Sequence, residues 1–132
     1  MMEFCPYITF EDSCGKALQF YKHCFGGEIV FIQYYDSNGH NPDAKGKVMH
    51  SEFRSGNIHL MACDKSPEQK LHQGTNITMY ISLDSETEQR KIFTKLSENG
   101  VVHMPLEPTV WGSRLGVLTD QFGVHWMLVV NN

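Results

Sequence analysis

The chain has 132 residues, long enough for one ordinary hydrophobic core and too short for two full domains. A hydrophobic fraction of 41%, a charged fraction of 20% and a net charge of −4 describe a globular protein, and the charges are interspersed. With no basic block to track a phosphate backbone and no stretch approaching the length of a membrane span, nucleic acid and membrane are excluded as expected partners. The four cysteines, Cys5, Cys14, Cys24 and Cys63, form no CxxC pair, and the N-terminus carries no basic leader, so reduced thiols in a cytoplasmic protein are expected.

Phe4 to Phe10 alternates apolar and polar residues and predicts a strand. Asp12 or Ser13 can cap the helix that follows, whose apolar stripe is Ala17, Leu18, Tyr21, Cys24 and Phe25 and whose stop is Gly26-Gly27. A strand is predicted over Glu28 to Tyr35, a loop over Asp36 to Gly46, and a hairpin from Lys47 to Arg54 and Asn57 to Cys63. Asp64 to Gly74, polar and carrying Pro67, reads as a connector. Beyond it come a strand over Asn76 to Leu83, a capping-box helix from Ser85 with Ile92, Phe93 and Leu96 inside, and a stop at Gly100. Val101 to Met104, Leu115 to Thr119 and Val124 to Val130 supply the last strands.

The order is βαβββ twice, and the ends of the halves match in sequence. Tyr7-Ile8-Thr9-Phe10-Glu11-Asp12 corresponds to Tyr80-Ile81-Ser82-Leu83-Asp84-Ser85, and Ile58-His59-Leu60-Met61-Ala62 to Val124-His125-Trp126-Met127-Leu128. A repeat this long is two copies of one supersecondary unit, not a solenoid. The expectation is one α+β domain over 1–132, with a first module over about 1–66 and a second over about 74–132, and a site in the cleft they share.

Several segments then carry a resemblance: Pro6-Tyr7-Ile8 to Ala17-Leu18-x-Phe20-Tyr21 with Phe25-Gly26-Gly27, Val48-Met49-His50-Ser51-Glu52, Trp111-Gly112-Ser113-Arg114-Leu115-Gly116, and Asp120-Gln121-Phe122-Gly123-Val124-His125-Trp126. Together they resemble the PhnB-like branch of the vicinal oxygen chelate superfamily, which includes glyoxalase I, extradiol dioxygenases, and fosfomycin and bleomycin resistance proteins. The resemblance implies two βαβββ modules forming an eight-stranded incomplete barrel, and commonly a homodimer. It also brings a methyltransferase label, which the sequence argues against, since no Gly-rich loop joins a strand to a helix to cradle a nucleoside cofactor.

Metal-dependent members of the superfamily hold a divalent ion through residues of the first and last strands of each half. The resemblance puts Met61 and Met127 at the last-strand positions and falls near Cys5 and Asn76 for the first. A thioether and a primary amide are poor ligands for Zn, Ni, Mn or Fe(II), so the family metal site is expected to be absent. His59 and His125, two residues before the methionines and therefore on the same strand faces, keep a displaced metal site or a proton-handling role open. The favoured reading of both is as pocket walls bonded to backbone or water.

His50 and Glu52 share a strand face with Val48 and Arg54 and form a candidate catalytic acid–base pair, against the alternative of a solvated polar face. Tyr7 with Thr9, and Tyr80 with Ser82, are candidate ligand-binding residues or ordinary core tyrosines. Trp111 and Arg114 could grip an anionic ligand, or close a sheet edge while Arg114 pairs with a surface acid. Trp126 is assigned to helix–sheet packing and the cysteines to buried structural positions.

The function expected is a small-molecule-binding protein of the PhnB-like branch, its pocket lined by Tyr7, His59, Met61, Tyr80, Trp111, Arg114, His125 and Met127. A metal-dependent lyase, isomerase or dioxygenase and a drug-sequestering resistance protein are the alternatives.

Overall fold

The computed structural model describes residues 1–35 and 46–131, so the loop expected over Asp36 to Gly46 lies, apart from Gly46, outside the described residues. The elements are β1 (Tyr7–Phe10), α1 (Cys14–Phe25), β2 (Glu28–Tyr34), β3 (Val48–Ser55), β4 (Ile58–Asp64), β5 (Met79–Leu83), α2 (Glu86–Leu96), β6 (Val101–Pro108), β7 (Ser113–Thr119) and β8 (His125–Asn131). This is the α+β, twice-βαβββ order read from the sequence. The chain divides into two compact units, Met1–His72 and Gln73–Asn132. No helix among the described residues is long and apolar enough to cross a membrane.

Each unit holds one four-stranded sheet, ordered β1-β4-β3-β2 in the first and β5-β8-β7-β6 in the second. The outer pairs β1–β4 and β5–β8 are parallel, as a strand–helix crossover requires, and the other neighbours are antiparallel hairpins. α1 packs on β2, β3 and β4, and α2 on β5, β7 and β8. Burial therefore alternates along the strands. Ser51, Phe53, Leu60, Ala62 and Asp64 are buried in the first sheet, as are Leu118, Trp126, Leu128 and Val130 in the second, while the residues between them are half-exposed except Val129, which is buried as well. Each sheet thus has one face packed on its helix and one face free of it. Trp126 is 1% exposed, its indole N–H donating to Asp120 Oδ2 at 2.9 Å.

The frame repeats down to single glycines. Gly27 follows α1 and Gly100 follows α2. A Cβ on Gly27 would collide with the Arg54 carbonyl oxygen, and one on Gly100 with the Thr119 carbonyl oxygen. At both places the helix exit lies directly on the backbone of the third strand of its module.

Some boundaries differ from the sequence reading. β1 begins at Tyr7 rather than Phe4, whose side chain is exposed beyond Pro6. β6 runs through Pro105 to Pro108, because it is an edge strand: a proline removes no ladder bond on the unpaired side, and the register slips between Met104 and Glu107. A second slip, between Gln33 and Tyr34 of β2, falls opposite Met49, so Val48 is buried and Met49 exposed, the reverse of strict alternation. Ser13 occupies the N-cap of α1 without a side-chain bond. Asp64 does that work from the end of β4, accepting the Cys14 N–H at 2.9 Å and the Val48 N–H at 2.8 Å. Ser85 caps α2 as expected, accepting the Glu88 N–H at 3.1 Å.

Candidate functional site

The helix-free face of the first sheet gathers most of the polar candidates. In register across it stand Tyr7 on β1, His59 and Met61 on β4, and Glu52 and Arg54 on β3, with Phe31 of β2 beside Glu52. Tyr7 reaches across β4 to His50, its hydroxyl 2.8 Å from Nδ1 and the two rings stacked at 5.5 Å. Phe31 covers His50 from the other side, 5.7 Å between centroids. Glu52 lies between two imidazoles: Oε1 is 4.0 Å from His50 Nε2, and Oε2 is 3.6 Å from His59 Nε2. His59 Nε2 is buried and accepts or donates no hydrogen bond.

The phenol of Tyr7 is pushed up to about 12, first by burial and then by the neighbouring Cys63 thiol. The neutral hydroxyl can donate to or accept from His50 Nδ1, and His50 Nε2 stands 4.0 Å from Glu52 Oε1. Behind the sheet, burial pushes the Cys14 thiol up to about 12, and Cys14 is an inert core group beside Ser51.

The corresponding face of the second sheet is built differently. Tyr80 pairs with Met127 as Tyr7 pairs with Met61, and His125 occupies the position of His59. On β7, however, Leu115 and Val117 stand where β3 has His50 and Glu52. Both nitrogens of His125 are engaged, Nδ1 with Thr119 Oγ1 at 2.7 Å and Nε2 with the Gly74 carbonyl at 3.0 Å. A carbonyl only accepts, so Nε2 carries the proton, Thr119 donates to Nδ1, and His103 Nε2 donates to Thr119 at 2.7 Å.

Trp111 and Arg114 are not brought together. Trp111 sits at the tip of the β6–β7 turn and is 82% exposed. Arg114 lies 3.4 Å from Glu86 of α2, with its carbonyl accepting from Gln89 of that helix, so it serves the helix-packed face, as the surface-acid alternative anticipates. The residues in register with Met61 and Met127 are Tyr7 and Tyr80, not Cys5 and Asn76, which precede β1 and β5. Two thioethers and two phenols do not fit a divalent ion. Among the described residues no group of three His, Cys, Asp or Glu could hold one either. Sequence reasoning missed Phe31, Thr119, His103 and the Gly74 carbonyl, all of which reach the site residues from another strand or a loop.

A family model described as 3-demethylubiquinone-9 3-methyltransferase matches residues 2–129. Protein PA1353 from Pseudomonas aeruginosa is 31% identical, covering 99% of this chain and 98% of its own, with a TM-score of 0.90. The PhnB protein from Bacillus cereus is 29% identical over 98% of this chain and 99% of its own, with a TM-score of 0.85. The chain belongs to this PhnB-like family. A glyoxylase/bleomycin resistance protein/dioxygenase domain from Frankia sp. EAN1pec shares the fold at a TM-score of 0.71, with 9% identity over 100% of this chain and 93% of its own.

Proposed function

We propose that this PhnB-like protein binds a small molecule on the helix-free face of its first sheet. The observation that carries this reading is an ordered polar set, Tyr7, His50, Glu52 and His59, held on a face that Phe31 and Met61 share with Arg54. A few oriented polar groups on an apolar floor suit a ligand with an apolar body and one or two polar handles. Methyl transfer is not part of this reading. The turns that lead into α1 and α2, residues 11–13 and 84–85, contain no glycine, so neither offers the loop a nucleoside cofactor needs. Metal-dependent chemistry at the family positions lacks ligands, and no observation favours drug sequestration.

Native mass spectrometry of tag-free protein against a panel of aromatic ketones, phenols and carboxylates tests the proposal, and reads in the same spectra whether the chain forms the homodimer the resemblance implies. One compound retained per chain, with affinity falling about tenfold or more in His50→Ala or Met61→Ala, is expected. Retention unaffected by either substitution, or no retention across the panel, would overturn it.

A further inference from the structure

We infer that His59 is the proton acceptor of the first-sheet site, taking a proton on Nδ1 from a bound molecule with an O–H, N–H or activated C–H, and that Glu52 is its positioning residue. This rests on the ligand face proposed above. It follows from counting which ring nitrogens are free. His59 Nε2 is the sealed nitrogen, buried, with Glu52 Oε2 3.6 Å away as its near charged neighbour. A lone pair facing a carboxylate would be repelled, so the proton of the neutral ring resides on Nε2 and the lone pair on Nδ1. Nδ1 makes no hydrogen bond among the described residues and is not among the buried unsatisfied atoms, so a ligand can reach it.

On the helix-free face of the first sheet the other imidazole is already engaged, His50 Nδ1 being bonded to the Tyr7 hydroxyl at 2.8 Å. Among the described residues, His59 Nδ1 is therefore the imidazole nitrogen left open on that face. The groups around it are Glu52 and its register partner Arg54 on β3, and Tyr7 on β1 beyond Met61. The Glu52 carboxylate stands behind the ring, 3.6 Å from Nε2, which is the arrangement of a carboxylate-oriented general base.

The first test needs no substitution. A long-range proton–nitrogen spectrum of 15N-labelled protein at mildly alkaline pH should show His59 protonated on Nε2 and bare on Nδ1. Glu52→Gln should mix the tautomers and Glu52→Asp should restore most of the Nε2–H form. His59 found as the Nδ1–H tautomer, or a tautomer ratio indifferent to Glu52, would overturn the inference.

The second test uses 5-nitrobenzisoxazole, an apolar probe that needs only a base. Nδ1 takes the C3 proton, the C–H electron pair becomes part of the new nitrile, the N–O bond breaks, and its pair leaves as a coloured phenolate. A protein-dependent rate that falls about tenfold or more in His59→Ala, and is unchanged in His72→Ala on an exposed segment outside both sheets, is expected. An equal rate in wild type and His59→Ala would overturn it. The two readings fail separately: a wrong tautomer leaves the ligand face standing, whereas ligand retention indifferent to His50 and Met61 removes the face and leaves the tautomer intact.

Discussion

The helix-free faces of the two sheets carry a tyrosine, a methionine and a histidine at matching register positions, yet only one of them is chemically open. Beside His59 stand Glu52 and His50, and its Nε2 has no hydrogen bond. Beside His125 stand Val117 and Leu115, and its two nitrogens are tied to Thr119 and Gly74. The difference lies on β3 and β7, not on the strands where the repeat is strongest. Duplication explains the frame, and divergence of one inner strand explains the site. A histidine repeated at the same place thus has both ring nitrogens bonded in one module and an unbonded Nε2 in the other.

The largest expected effect concerns what the modules share. Gly27→Ala and Gly100→Ala should each destabilise by about 2–4 kcal/mol in urea unfolding, because the added methyl meets a strand carbonyl oxygen and, at Gly27, also a positive φ. A change near zero at either would break the claim that both helix exits are built alike. Next comes the pair that should differ. His125→Ala removes two hydrogen bonds and should cost about 1–2 kcal/mol, whereas His59→Ala removes a ring with none and should cost about 0.5 kcal/mol or less. Equal costs would erase the distinction between the two histidines.

A finer contrast is in pH. The Tyr7 phenol, with its ionisation moved from 10.0 up to about 12, favours the folded state while neutral. That contribution is whole below pH 10 and is lost as the pH rises toward 12. Absorbance titration near 295 nm should show high-pH tyrosine ionisation, to which Tyr35 also contributes, whose amplitude near pH 12 falls in Tyr7→Phe and persists in Tyr80→Phe. The smallest effect is chemical. Cys14, buried and held as the thiol, should resist iodoacetamide in native protein over hours while the partly exposed Cys5 is labelled, and labelling of Cys14 at the same rate would show that the α1 core opens.

Much of the frame was legible in the chain because helix stops, strand alternation and the matched ends are local patterns. So were the shared faces of His59 with Met61 and of His125 with Met127, which need only a two-residue period. What could not be read is lateral. The Asp64 carboxylate capping α1, the Tyr7 hydroxyl on His50 and the Gly74 carbonyl on His125 join residues far apart in sequence, and spacing says nothing about them. The slip opposite Met49 likewise turned Val48 inward against a strict alternation. Arg114 shows the same limit from the other side. Its neighbours suggested a ligand grip, but its strand position turns it toward Glu86 on the helix.

The most direct test compares the two register-matched methionines, Met61 and Met127. In protein labelled at the methionine methyl groups, a mixture of small aromatic ketones, phenols and carboxylates should shift the Met61 methyl resonance and leave that of Met127 in place. Shifts at Met127 without Met61, or equal shifts at both, would contradict the assignment of the site to the first sheet.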